Sequence, residues 1–356
     1  LIPATEKLVL EARLKNVTFD DISGADIAVI YAEIESENME LVILEKAPKI
    51  AVYTPPNKQP WDDAVTLALT YADIPFDKIF DTEVLSGALE KYDWLHLHHE
   101  DFTGQYGKFY GAYRYAEWYR TQQIQSEALA RSLGFSKVSE AKKAVAETIR
   151  KYILAGGFLF AMCSACDTFD IALAAKGIDI VSKEYDHDGI SPGVQEKLDY
   201  DRCMAFTGFR LVTNPLVYEF SNLDTSNYTK TRGADVDFFA LFEFSAKHDP
   251  VPTMLTQNHV NVVKGFLGQT TGFRKALIKR SVVLLGEDSA HTEVKYLHGN
   301  LGRGTFTFLG GHDPEDYQHA VGDPPTNLAM HVRSPGYRLI LNNILFPAAK
   351  KKKMKT

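Results

Sequence analysis

The sequence predicts an α/β fold, a mostly parallel sheet with helices on both faces and elaborated loops. Short apolar runs alternate with amphipathic stretches, as in "KIAVYTPP" followed by "WDDAVTLALTYADI", the pattern of strands joined by crossover helices. Two of these runs end in chemically rich segments, "HLHHED" and "MCSAC", and in such sheets ligands bind beyond the carboxyl ends of the strands. The composition permits a large core: 356 residues, 45% of them hydrophobic.

Residues 4 to 47 read as mostly helical, with Ser23 as an N-cap before "GADIAVIYAEIESENMELVILEK", because a hydroxyl ahead of an apolar-periodic run satisfies the first free amides. The run 49–56 stops at two prolines and reads as a buried strand entering a loop. Ala64, Leu67, Ala68 and Tyr71 share one face of a helix over 61–74. "YDWLHLHH", 92–99, is the next strand. "TQQIQSEALARSLGF" and "VSEAKKAVAETIRKYILAGG" are helices, the second closing on a glycine pair suited to a C-cap. "GFLFAMC" then reads as a strand and "DTFDIALAAKG" as an amphipathic helix.

Residues 182 to 280 are rich in Gly, Asn, Asp, Tyr and Phe and predict long loops with short strands. "HTEVKYLHGNLGRGTFTFLGGHDPE" reads as two strands around a glycine-rich turn, and "SPGYRLILNNILF" as a closing helix. With no repeat and no linker in view, the division expected is a helical segment over 1–47 packed on the core, one α/β domain over 48–349, and a basic tail over 350–356.

A net charge of −7 excludes the broad basic surface a nucleic-acid binder needs. No apolar run approaches the ~20 residues of a membrane span. Three cysteines make no disulfide framework. The first residue is leucine, which raises the expectation of a processed or trimmed chain; the residues themselves leave the compartment open, the cytoplasm included.

Cys163 falls where the strand 157–162 turns into a helix, with Ala161 and Ala165 two residues to either side. A nucleophile on such a turn projects from the sheet edge, and the helix N-terminus favours a thiolate and a developing oxyanion. The competing expectation is a small buried hydrophobe, the commonest role of a free cysteine. Cys166 reads as packing or a resolving thiol, and Cys203 as packing.

The Cys163 turn and the segment "GRGTFTFLGGHDPE" with its following helix resemble the class I glutamine amidotransferase-like superfamily. The resemblance implies a flavodoxin-like sheet, Cys163 as nucleophile, His312 as base and Glu315 as orienting acid. The superfamily places its acid two residues after the histidine, whereas the extra residue here leaves three alternatives: Asp313, Glu315 or neither orients the imidazole. The chain also resembles a group of bacterial proteins, mostly from Bacteroidetes-type organisms, that carry the label asparagine synthetase B, which implies an exported or periplasmic location. A catalytic N-terminal cysteine and a Ser-Gly-Gly-x-Asp-Ser loop are both missing from the sequence, so no ATP-dependent synthetase activity is expected.

The second unusual stretch is His96-Leu97-His98-His99-Glu100-Asp101. His98, His99, Glu100 and Asp101 are expected at the strand end as substrate-binding residues, with the Ser164 amide completing an oxyanion site. A metal site would need a His-x-His pair with a distant third ligand such as His187 or His312, because neighbouring residues on a strand point apart. The expectation is therefore no cofactor and no metal, with His96 in a structural network. The Tyr- and Gly-rich stretch 102–120 reads equally as an aromatic lid or as a packed loop. The function expected is a cysteine-dependent hydrolase or amidase acting on a small-molecule, peptide or sugar substrate. A metal-dependent hydrolase using His98 and His99, and a non-catalytic binding protein on the same fold, remain alternatives.

Overall fold

The structure is a computed structural model and describes residues 22–37, 44–56, 63–242, 258–320 and 323–349. The tail 350–356 and residues 4–21 and 38–43 of the expected N-terminal helix lie outside the described residues. Within them Ser23 caps α1 (Gly24–Ser36) through a capping box with Asp26, as a hydroxyl three residues before a carboxylate allows. None of the residues of α1 is buried.

The described residues form a 10-stranded sheet. Its first half is parallel and comprises β1 (Ile50–Tyr53), β2 (Asp77–Ile79), β3 (Trp94–Leu97) and β4 (Phe158–Met162). β5 (Phe238–Leu241), β6 (Val262–Lys264), β7 (Phe273–Arg274), β8 (Val283–Asp288), β9 (Glu293–Leu301) and β10 (Gly304–Leu309) complete it. The order is β2-β1-β3-β4-β10-β9-β8-β5-β6, with β7 on β9. β10 runs parallel to β4, and from β9 onward the pairings are antiparallel. β1, β3 and β4 of the parallel core are the runs the strand–helix alternation predicts, whereas the short edge strand β2 is not among them; the antiparallel extension comes from the loop-rich stretch 182–280, from β8 just after it and from the β9–β10 hairpin.

The strands of the centre are buried on both faces, every residue of β3 and β4 included, which is why they read as continuous apolar runs. Alternate residues feed two cores. Ala51, Leu95, Leu159 and Ala161 face a layer containing α3 (Asp81–Leu85) and α5 (Val138–Leu154), which follows the exposed-faced α4 (Glu117–Ser132). Val52, Trp94, Phe160 and Met162 face α2 (Ala64–Tyr71) and α8 (Pro335–Asn342).

One helix departs from its sequence reading. α6 (Ser164–Ala174), expected to be amphipathic, is buried along its whole length. Its polar residue Asp170 is accommodated because it accepts the backbone amides of Met204, Ala205 and Phe206 at 2.7 to 2.9 Å. Burial still pushes that carboxyl up to about 6, since desolvation outweighs the three donors. Among the described residues no helix is long and apolar enough to cross a membrane.

Candidate functional site

The ends of β3, β4 and β10 open on one edge, because Leu97 registers with Ala161 and Met162 with Leu309. The residues just past those ends are His98, Cys163 and, after two glycines, His312.

Cys163 is the N-cap of α6 with φ 53° and ψ −138°. A non-glycine residue in this region stores about 1 to 3 kcal/mol of strain, and the turn is the sharp strand-to-helix elbow expected. The sulfur is sealed, with the residue 1% exposed. Gln269 donates its amide to Sγ at 3.2 Å. A Cβ on Gly268 would sit 2.9 Å from the same atom, so only glycine lets the covering loop come this close. Gln269 Nε2 in turn donates to Gly107 O at 2.5 Å, and Thr270 Oγ1 to Asp167 Oδ1 at 3.0 Å. Burial pushes the Cys163 thiol up to about 11 despite the amides of Thr270, Gln269 and Ser164. The low-pKa thiolate expected of an activated elbow is therefore absent in this conformation. No hydrogen bond joins Cys163 to His312 among the described residues.

His312 has a different partner. Its Nε2 lies 2.9 Å from Nε2 of His98, so one ring donates and the other accepts. The His312 ring packs between those of His319, at 5.0 Å, and His99, at 5.5 Å. Burial and then the charge of His319 hold His312 down to about 4. Burial, then His312 and His99, hold His98 well below its usual value. Both rings are thus neutral near pH 7.

Behind His98 stands Asp63. Its Oδ1 is 3.3 Å from His98 Nδ1, off the hydrogen-bonding direction, a contact between a carboxylate and the dipole of a neutral ring. A lone pair facing a carboxylate is disfavoured, so the proton of His98 belongs on Nδ1. His98 Nε2 then accepts from His312 Nε2–H, and the buried Nδ1 of His312, which has no hydrogen-bond partner, carries a lone pair. Asp63 is itself fixed, because its Oδ1 accepts from the Val65 amide at 2.7 Å as N-cap of α2. Its Oδ2 lies 3.0 Å from Nε2 of His96, whose Nδ1 is 3.1 Å from Phe160 O. His96 is therefore tied into a hydrogen-bonded network, the structural role that the sequence leaves open for it.

The acids placed beside the histidines by sequence are used elsewhere. Glu315 meets Nδ1 of His331 at 3.2 Å rather than orienting His312. Asp313 accepts from the amides of Glu315 and Asp316, from Thr326 Oγ1 and from Tyr337 Oη. It organises the turn after β10. Asp101 accepts from the Thr103, Gln105 and Gly107 amides and from Thr103 Oγ1, so both its oxygens serve its own loop and neither is left for substrate. Glu100 accepts from Thr168 Oγ1 through its carbonyl, and Ser164 Oγ donates to His99 O at 3.0 Å. Ser164 thereby ties the elbow to the histidine loop.

His98, His99 and His312 each offer a ligand atom within 4.8 Å of the others. Strand alternation does not keep His98 and His99 apart, because β3 ends at Leu97. His187 is not part of this group. It lines a separate cavity of about 320 Å³ with Tyr110, Arg114, Tyr119 and Tyr185. The aromatic stretch divides: Phe102, Tyr106 and Tyr119 are buried, while Tyr115 is 75% exposed. Asp63 and the loop over Cys163 escaped the sequence reading. The usable signal for Asp63 was its place as helix N-cap after β1, at the same sheet edge.

No protein-family profile matches the chain, and no curated protein matches it. Solved structures resemble it distantly. A cytoplasmic protein of Salmonella typhimurium is 10% identical, with TM-score 0.39, covering 85% of this chain and 100% of that one. A GMP synthase-like protein of Thermoplasma acidophilum is 7% identical, with TM-score 0.37, covering 85% and 96%. A ThuA-like protein of Bacteroides uniformis is 10% identical, with TM-score 0.39, covering 86% and 94%.

Proposed function

We propose that this protein is a hydrolase whose reaction is carried by the His312–His98–Asp63 chain rather than by Cys163. The observation that supports this reading is the 2.9 Å contact between the two Nε2 atoms, backed by the Asp63 carboxylate. Asp63 holds the proton of His98 on Nδ1, His98 Nε2 holds the proton of His312 on Nε2, and Nδ1 of His312 is left as a base. Once water and substrate reach this buried nitrogen, it takes a proton from water attacking a carbonyl, amide or ester carbon and returns it to the leaving group. The substrate class is a small molecule, peptide or sugar bearing such a group, bound at the sheet edge.

The test is a panel of small ester and amide substrates with the wild type, His312→Gln and Cys163→Ala. A positioned base contributes about 10² to 10⁴ in rate, so His312→Gln should lose at least ~100-fold in kcat while Cys163→Ala remains active. Full activity in His312→Gln, or no turnover of any substrate by the wild type, sinks the reading.

A second reading has its own support in the positive φ of Cys163. In it the elbow cysteine attacks the carbonyl once the covering loop lifts. It requires that Cys163→Ala abolish turnover and that a covalent acyl adduct form on the sulfur.

A further inference from the structure

We propose that His98, His99 and His312 form a divalent-metal site, with zinc as the ion their chemistry favours. The site rests on the reading of the histidine cluster as the reactive centre and concerns the same side chains; with the ion on both Nε2 atoms, His312 would carry its proton on Nδ1, so the ion would take that nitrogen's place as the source of the base.

The donor set fits zinc. Three imidazoles are a ligand set that zinc takes in tetrahedral sites, with one position left for a further ligand. The spacing is nearly right. Two nitrogens bound to tetrahedral zinc at ~2.0–2.1 Å lie about 3.3 Å apart, and the facing Nε2 atoms stand at 2.9 Å. Opening the pair by a few tenths of an ångström replaces one shared proton by an ion.

The surroundings support the ion as well. A ligating histidine commonly gives its second ring N–H to a carboxylate, which fixes the tautomer and raises ligand basicity. Asp63 stands beside that position, 3.3 Å from His98 Nδ1 but off the hydrogen-bonding direction, and is anchored by the Val65 amide and His96. His99 is held through its backbone carbonyl by Ser164 Oγ. The cluster thus has three nitrogens within 4.8 Å of one another and a carboxylate behind one of them. Elsewhere, the group Asp179, Asp186 and Asp188 already surrounds the Lys137 ammonium, which leaves it no need of an ion.

The experiment uses the full chain stripped with chelator and titrated with zinc against a chromogenic competitor, with cobalt as a spectroscopic stand-in. One zinc per chain with Kd below about 1 µM and a tetrahedral cobalt spectrum are expected. His312→Ala should abolish both. Because that variant empties a packed position, His99→Gln at a partly exposed residue is the second probe, expected to weaken zinc at least ~10-fold with an unchanged melting temperature. Asp63→Asn should weaken it about 10- to 100-fold, and His291→Ala should not. Zinc binding weaker than about 100 µM, or tight binding undiminished in both His99→Gln and His312→Ala, overturns the site. Turnover by rigorously metal-free protein would remove the ion and leave the hydrolase reading intact. Stoichiometric zinc without turnover would do the reverse.

Discussion

Nε2 of His98 and Nε2 of His312 face each other at 2.9 Å although they stand 214 positions apart in the chain. The contact exists because β3 and β10 flank β4 in parallel and end at the same edge. It diverts His312 from the cysteine that the sequence resemblance assigns to it.

Cys163 should be a slow thiol. With its pKa pushed up to about 11 by burial, roughly 0.1% is thiolate at pH 8. Iodoacetamide labelling of native protein, mapped by mass spectrometry, should run at least ~100-fold slower than for a free cysteine. It should still accelerate with pH toward 11. Labelling at neutral pH as fast as an unhindered thiol would restore the activated elbow.

His298 should limit stability in acid. It is fully buried, stacked on Phe346 at 4.9 Å, and neither ring nitrogen has a hydrogen-bond partner. Burial lowers it to about 3, so below pH ~6.5 the unfolded chain takes a proton the folded one refuses. Stability from this residue is complete above pH ~6.5 and is lost as pH falls toward 3. His298→Phe keeps the stack and removes the titration. Its stability relative to wild type should improve by about 2 kcal/mol between pH 7.5 and pH 5, read by urea unfolding; an unchanged difference would contradict the assignment.

Asp224 acts in the opposite direction. Burial raises it to about 7, against two hydrogen bonds from Ser226, at the start of α7 (Ser226–Arg232). The folded chain therefore holds a proton that the unfolded one releases above pH ~4. Its contribution is largest below pH ~4, falls as pH rises to 7, and is flat beyond. Asp224→Asn keeps the acceptor for the Ser226 amide, and should flatten the fall in stability across that window by up to about 1.4 kcal/mol per pH unit. Thermal melts at half-unit steps check this, and an identical slope in the variant would refute it.

Gly268 should not tolerate a methyl group. Its Cβ would lie 2.9 Å from Cys163 Sγ and 3.3 Å from Gly311 Cα, and overpacking of this kind costs about 1 to 3 kcal/mol. Gly268→Ala should lower stability by that amount and speed the labelling of Cys163 as the loop is pushed away. Cys163→Ala in the same chain should recover part of the stability, because it removes the atom being struck.

The sequence exposed the parallel core well because β3 and β4 are buried on both faces and therefore read as unbroken apolar runs. It also exposed the strand ends where His98, Cys163 and His312 sit. The antiparallel half was harder: β5, β6 and β7 are only two to four residues long, too short for a period to show. The acids misled for another reason. Asp101 and Asp313 stand beside histidines in the chain, but their oxygens are consumed by the amides of their own loops. Composition reveals a carboxylate and not where nearby N–H groups point. Asp63 was hidden because its role as a helix cap and its role behind His98 use the same side chain.

The loop that seals Cys163 also holds the backbone beneath the histidine. Gly311 donates its amide to Thr270 O at 2.9 Å, and His312 donates its own to Leu267 O at 2.8 Å. Gly310 and Gly311 permit this contact, since a Cβ on either would fall within 2.6 Å of a carbonyl oxygen of the loop. Lifting the loop to uncover the sulfur must therefore break two bonds that anchor His312. Cysteine access and histidine alignment behave as the two pans of one balance: the conformation that presents one reactive group withdraws support from the other.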